Sequence, residues 1–282
     1  MKHVFEPRLQ TDPAHYSKEE LNKRREPRLV GTLADELRND QPDLSWEAEQ
    51  LAKSHGIYLE FDRAKTGKEK DWMYMLRLAN PGGGPISREQ WRLFDELADQ
   101  HARDSNGQSS LRLTTRQAIQ LHWLDKAGVL EVVRRLAEAG LRSLNACGDN
   151  TRNVLACPLA HGSAVADTHA WARRAADYFE LPFEPFIKVF AIDPQQLRRP
   201  GEASFQYGPG LLNRKFKLAW SALHPTGPGG ALVGDSCVEL LTNDLGVAPI
   251  ARDGRLAAFQ LYVGGGQGER NGSPPPPRWR RR

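Results

Sequence analysis

The stretch at residues 111–122 reads Leu-Arg-Leu-Thr-Thr-Arg-Gln-Ala-Ile-Gln-Leu-His. Its alternation predicts a strand, or two strands joined by a turn. Yet Arg112, Arg116, Gln120 and His122 stand among its apolar residues. Burying one such donor without a partner costs about 1–3 kcal/mol, and more when the group is charged. A fold containing this stretch must therefore open a polar sheet face to water or lay a large anionic ligand across it.

The overall charge does not choose between these. The chain has 282 residues with 39 basic and 35 acidic side chains, but four of the basic ones are the arginines of its last five residues. The body is thus neutral, and its cations matter by position. A nucleic-acid partner gains little support from such a balance; a basic-tailed nucleic-acid binder stands only as a remote third reading. No apolar run reaches the length of a membrane span, and the first residues, Met-Lys-His-Val-Phe-Glu-Pro-Arg, lack the apolar core of a signal peptide. The expectation is a cytoplasmic protein with no membrane partner. Cys147, Cys157 and Cys237 are odd in number and lack C-x-x-C spacing, which argues against a disulfide scaffold or a self-contained zinc site. They are expected to be buried thiols, and no metal-ligand set is assigned.

Along the chain, residues 1–70 read as a peripheral, charge-rich arm with helices around residues 17–25 and 32–39. A strand is expected at 72–79, broken by Pro81-Gly82-Gly83-Gly84-Pro85. Ser87 and Gln90 make a capping box for a helix, along which Trp91, Phe94, Leu97 and His101 recur at helical spacing as core residues. Strands at 111–123 and an amphipathic helix at 129–137 follow. The order strand, helix, strands, helix predicts an α+β sheet with helices on one face, a unit spanning 71–140. A second, mixed unit spans 141–272: a loop at 147–158, a helix within 167–180, and strands at 186–192, 215–223, 237–241 and 256–263. From residue 273 four prolines and an Arg/Trp run offer nothing to bury; residues 273–282 read as a disordered tail, or as the scar of a lost reading frame.

Three further segments carry chemistry. Lys215-Phe216-Lys217 on a strand places both ammonium groups on one face, beside Arg214. Such a pair suits an anion between them, or a solvated edge guarded against aggregation. Residues 148–154 have the composition of a turn that can aim Arg152 at a ligand, or simply connect two elements. The glycines at 264–268 fail the dinucleotide pattern; they let backbone approach a flat ligand, or make a turn.

In order and spacing, these segments resemble the siroheme-dependent sulfite and nitrite reductases. That family carries Arg-Leu-Thr-x-Arg-Gln, found here at residues 112–117. It also carries Gly-Asp-x-x-Arg-Asn-Val-x-x-Cys-Pro, found at 148–158, and Arg-Lys-Phe-Lys, found at 214–217. Asn-Asp-Leu-Gly at 243–246, the glycine turn at 264–266 and a strand arginine before Pro-Gly-Gly, Arg77, complete the match over about residues 30–272. The Asn-Pro-Gly-Gly turn is more similar to the ferredoxin-dependent branch. Two departures are Ala79, where many relatives place a second basic residue, and Asn213 in place of a proline.

The resemblance implies a ferredoxin-like half-domain followed by a mixed α/β siroheme-binding domain. It implies that Arg77, Arg152, Lys215 and Lys217 hold sulfite or nitrite at the siroheme iron, and that the lysines supply protons. It further implies that Arg112, Thr114, Thr115, Arg116, Gln117, Gln120, His122, Asn150, Asn153, Arg214, Gly265 and Gly266 line the cofactor. A polycarboxylate macrocycle accounts for scattered cations on a neutral protein. The family also couples siroheme to a [4Fe–4S] cluster through four cysteines, and an electron donor, ferredoxin or a flavoprotein reductase, feeds it. Such a cluster requires thiolates, and none of the three cysteines here matches a cluster position. The expectation is therefore the substrate-binding front half of a sulfite reductase hemoprotein, inactive alone. The alternatives are a nitrite reductase, or a siroheme- or anion-binding fragment that needs a cysteine-rich C-terminal half as partner.

Overall fold

The computed structural model describes residues 14, 16–26, 28–63, 70–195, 215–224, 233–234 and 237–265. Arg214, Gly266 and the tail at 273–282 lie outside them. The chain is α+β and divides into two compact units.

The first unit comprises residues 1–79, 86–150 and 177–215. It opens with helices α1 (Lys18–Arg25), α2 (Leu33–Glu36) and α3 (Trp46–Ser54). A capping box at Ser17 and Glu20 starts α1, and Lys23, Arg24 and Arg25 oppose the dipole at its end. Strands β1 (Ile57–Phe61), β2 (Trp72–Leu78), β3 (Leu111–Leu113) and β4 (Ile119–Leu124) form an antiparallel sheet in the order β1-β2-β4-β3. Helices α4 (Arg88–His101) and α5 (Lys126–Glu138) pack against this sheet, as the strand–helix order predicts. The expected box at Ser87 and Gln90 caps α4, and the Asp125 carboxylate accepts the Gly128 N–H at the start of α5.

Alternation divides the two sheet faces. Ile57, Tyr74, Leu76, Leu78, Ile119, Leu121 and Leu124 are buried in one core with Phe94 and Leu97 of α4 and Val129, Val132, Val133 and Leu136 of α5. The other face carries the polar residues of the same strands.

Several expectations are corrected here. The segment read as a peripheral arm supplies core: Leu29, Leu33, Leu37, Leu51 and Ile57 are buried, and β1 pairs with β2 along its length. Trp91 lies exposed on α4 although Phe94 and Leu97 point inward. Of residues 186–192, expected as a strand, 186–190 belong to helix α7 (Phe183–Phe190), and Ala191 caps its end in a left-handed conformation. Phe186, Val189 and Phe190 are spaced three and four apart and enter the core on one helical face. A short apolar run fits either period, and burial decides.

The second unit comprises residues 80–85, 151–176 and 216–282. It contains most of α6 (Thr168–Tyr178) and a sheet of β5 (Leu218–Trp220), β6 (Leu223–His224), β7 (Val233–Gly234), β8 (Leu245–Arg252) and β9 (Arg255–Val263). Strand β8 is its centre: it pairs in parallel with β5 and β6, and antiparallel with β9. Trp171 of α6 packs on Trp220 of β5 and Phe259 of β9, with ring centroids 5.2 and 5.1 Å away. The strand expected at 215–223 is two short strands, and residues 237–241 are irregular, not a strand. There the chain bends back on itself: the Asn243 N–H donates to the Leu240 carbonyl, and the Leu241 N–H to the Glu239 carboxylate. Cys147 and Cys157 are buried as expected, whereas Cys237 is exposed.

Candidate functional site

The polar face of the first sheet gathers the predicted residues of that unit. Gln120 on β4 stands opposite Arg77 on β2 and opposite Arg112 on β3, so the three occupy one rung across three strands. Cross-strand partners share a face. His122, two residues beyond Gln120, shares that face too. It sits at a bulge: the register slips between Tyr74 and Leu76, and Trp123 takes φ +65°. Bulges re-aim side chains. Tyr58 and Glu60 of β1 border the same face. The Arg77 guanidinium carbon lies 5.8 Å from the Tyr58 ring centre, and the Gln120 amide nitrogen is 3.6 Å from the Met75 sulfur.

His122 is the telling group. It is buried, and its Nε2 has no hydrogen-bond partner. Burial first, and then the charges of Arg112 and Arg77, push its pKa down to about 4. It is neutral at pH 7, so the Glu60 carboxylate 3.8 Å from Nδ1 faces an uncharged ring. One nitrogen of a buried, neutral imidazole thus lacks a partner beside two guanidinium groups, on a face that also offers an amide.

The turn between β3 and β4 has a more local logic. The Thr114 hydroxyl accepts the N–H groups of Arg116 and Ala118, and its carbonyl accepts the Gln117 N–H. Gln117 adopts a left-handed φ of +54°. Thr114 and Gln117 therefore build the turn that separates Arg112 from Arg116, and Thr115 is exposed. Further on, Asn150 is buried with neither side-chain atom hydrogen-bonded.

In the second unit the loop at 151–155 runs beside the segment that carries Lys217 and leads into β5. Thr151 bridges Phe216 in parallel, and the Arg152 N–H donates to the Phe216 carbonyl at 2.8 Å. That register sets Arg152, itself buried, next to Lys217. Lys215 is exposed and Lys217 half-buried, while Leu218 is fully buried. The Asn153 side chain donates to the Asn80 carbonyl at 3.0 Å and so braces the Pro81–Gly83 turn. His169 presses on that turn: a Cβ on Gly82 would lie 2.5 Å from the imidazole. Gly265 packs closely against protein backbone: a Cβ there would lie 2.2 Å from the Leu241 carbonyl oxygen.

Four residues that shape the site had no assigned role in the sequence. Asp244 accepts the Lys217 N–H through Oδ2 at 2.7 Å and the Gly264 N–H through its carbonyl. Asn80, His169 and Glu60 act as described above. Asp244 lies inside the Asn-Asp-Leu-Gly motif and Asn80 opens the Asn-Pro-Gly-Gly turn, which were the available signals; nothing marked His169 or Glu60.

Two domain families match the chain. The Nitrite/Sulfite reductase ferredoxin-like half domain covers residues 66–139, and the Nitrite and sulphite reductase 4Fe-4S domain covers residues 147–279. The chain belongs to the nitrite/sulfite reductase family. Its relatives in that family include the sulfite reductase [NADPH] hemoprotein beta-component of Geobacillus kaustophilus, 34% identical over 254 residues, which are 86% of this chain and 41% of the relative. The corresponding protein of Acidithiobacillus ferrooxidans is 35% identical, covering 87% of this chain and 42% of the relative. The sulfite reductase [ferredoxin] of Synechococcus elongatus is 32% identical, covering 91% and 42%. The Mycobacterium tuberculosis NirA structure superposes with a TM-score of 0.59 at 20% identity, over 88% of this chain and 41% of that one, and so shares the fold. The chain spans about two fifths of the length of the curated relatives it matches. None of the described helices is long and apolar enough to cross a membrane.

The family's siroheme and [4Fe–4S] cluster can be tested against the residues present. The donors on the first sheet fit a polycarboxylate macrocycle: two guanidiniums, an amide and an unpartnered imidazole nitrogen share one face. The cluster does not fit, since four thiolates are needed and the sequence has three cysteines, spread over 147, 157 and 237.

Proposed function

We propose that this chain is the siroheme- and substrate-binding part of an assimilatory sulfite reductase hemoprotein. The observation that carries this is the rung Arg77–Gln120–Arg112 with the unpartnered Nε2 of His122 beside it. Arg112, Arg116, Gln120 and His122 would hold the carboxylates of siroheme. When bound, that cofactor supplies the redox centre for six-electron reduction of sulfite to sulfide. Asn150 and Asn153 line the same cofactor, as do Thr114, Thr115, Gln117 and Gly265 through their backbones. Arg214 and Gly266 are assigned by motif.

Arg77, Arg152, Lys215 and Lys217 bind the oxyanion. Their positive field collects an anion and offsets charge as electrons arrive. The Nζ groups of Lys215 and Lys217 are proton donors to departing oxygens. Asp244 fixes the Lys217 backbone and thereby aims its ammonium. The four thiolates of an iron–sulfur cluster would come from outside these 282 residues. Ferredoxin or a flavoprotein reductase would supply electrons to the complete assembly. The relatives' names favour sulfite over nitrite.

The test is to produce the chain in cells that supply siroheme and record the visible spectrum. Retained tetrapyrrole absorption that shifts on adding sulfite is expected, with no sulfide formed from reduced methyl viologen. A colourless protein whose spectrum ignores sulfite overturns the binding role. Sustained sulfide production by the pure chain overturns the inactivity.

A further inference from the structure

The second unit holds a pair of sulfur atoms that the reaction above does not use. Cys157 Sγ and Cys237 Sγ are 3.3 Å apart, although 80 residues separate them in sequence. Cys157 is buried at the end of the loop that carries Arg152 and Asn153. Cys237 is exposed, and it begins the irregular stretch that leads to Asp244. A disulfide needs its sulfurs about 2.05 Å apart, so roughly 1.3 Å of approach separates this contact from a bond. The Cys237 stretch lies in no helix or strand and can supply that movement without breaking a ladder. The geometry also assigns different roles to the two thiols, because only one of them faces solvent.

We infer that Cys157 and Cys237 form a reversible redox pair, oxidised to an intramolecular disulfide by a low-molecular-weight disulfide of the glutathione type. The solvent-facing Cys237 thiolate attacks one sulfur of the oxidant. The oxidant's S–S bond breaks, one thiolate leaves and takes up a proton, and a mixed disulfide stands on Cys237. Cys157 then loses its proton and attacks the Cys237 sulfur, expelling the second small thiol. Two protein thiols are oxidised, and one small disulfide is reduced to two small thiols. Burial and the adjoining sulfur hold the Cys237 thiol above its ordinary range. Thiolate is therefore scarce at neutral pH, and the first exchange accelerates as pH rises. The new bond would tie the loop bearing Arg152 to the stretch ending at Asp244, whose carboxylate holds the Lys217 N–H. Oxidation would then fix both sides of the anion-binding residues in this unit.

The experiment uses the full chain, needs no siroheme, and is thus independent of the proposed activity. The chain is incubated with glutathione disulfide, desalted, denatured and assayed for thiols, then digested for mass mapping. Of its three cysteines, only Cys147 should remain reactive, with the Cys157 and Cys237 peptides joined and released by dithiothreitol. In Cys157→Ser the adduct on Cys237 should persist as a stable glutathione mixed disulfide, and in Cys237→Ser no adduct should form at Cys157. A wild-type chain that keeps all three thiols overturns the inference. So does one that keeps the glutathione adduct on Cys237 beside an unreacted Cys157, or that joins Cys147 to either. The wild-type map decides the matter even if a variant fails to fold.

Discussion

Arg77 and Arg112 stand two strands apart on one rung of the first sheet, with Gln120 between them. Both guanidiniums act on His122, whose pKa is depressed to about 4, first by burial and then by these two charges. Like charges gathered on one sheet face repel, and an anionic ligand lying across that face would offset the repulsion.

Replacing Arg112 by Ala removes the larger of the two charge effects on His122. Its pKa should rise from about 4 but stay below the ordinary 6.5, because burial is the leading cause. An NMR titration of the imidazole checks this. Arg112 is exposed, so the fold should survive. An unchanged pKa would mean that the guanidinium does not face the ring.

Two buried groups set opposite pH dependences in the first unit. His55 is enclosed between Phe186 and Phe190, and its Nε2–H donates to the Leu29 carbonyl at 2.8 Å. Burial lowers its pKa to about 4. Between about pH 6.5 and 4 the unfolded chain binds the extra proton, so stability falls as pH drops through that window. Glu180 is raised to about 7 by burial, against the opposing pull of Arg142, whose Nε is 2.7 Å from its carboxylate. Here the folded chain holds the extra proton between about pH 4.5 and 7, so stability falls as pH rises through that window. The two windows overlap, so between about pH 4.5 and 6.5 the opposite slopes largely cancel; Glu180→Gln should remove the loss up to about pH 7 and uncover the His55 slope, a stability that falls as pH drops from about 6.5 to 4. Urea melts across pH 4–8 test both signs.

The polar rung was half-legible in the sequence. Alternation located β3 and β4 and placed Gln120 and His122 on one face, since a strand's period is a local property. That Arg77 shares their rung depends on register between strands 43 residues apart, which no local pattern states. The misread helix α7 shows the converse. Its Phe186 and Phe190 fit either period while Val189 joins them only in a helix, and the surrounding core, including His55, selects that helix. Asp244 and Asn80 act through main-chain hydrogen bonds, which any short polar residue could make in a sequence read alone. The motif around Asp244 was visible, but its hold on the Lys217 N–H was not.

Gly148 supports the motif loop for a steric reason. It has φ +84°, and a Cβ there would lie 2.9 Å from the Ser54 backbone atoms Cα and N. Gly148→Ala combines left-handed strain with an overpacked contact and should cost at least ~2 kcal/mol. Gly107 has a similar φ, +77°, with no atom within 4 Å of a Cβ. Gly107→Ala should cost only about 1 kcal/mol, from backbone strain alone. Equal losses for the two variants in thermal or urea unfolding would mean that the Ser54 contact is not a constraint.

Next to Gly148, Asp149 meets Lys23 of α1 at 2.5 Å, with the side chains only 17% and 5% exposed. Burial drives the Lys23 pKa down, and the Asp149 carboxylate opposes that shift. A pair this enclosed contributes little net stability when intact, yet removing one partner strands the other charge. Lys23→Met should therefore destabilise the chain by about 3 kcal/mol, less than a fully buried pair because water still reaches Asp149. Adding Asp149→Leu to that variant should recover part of the loss, since no charge is then left unpaired. A double-mutant cycle in urea measures the coupling. Additive losses from the two substitutions would show that α1 is not anchored to the motif loop through this pair.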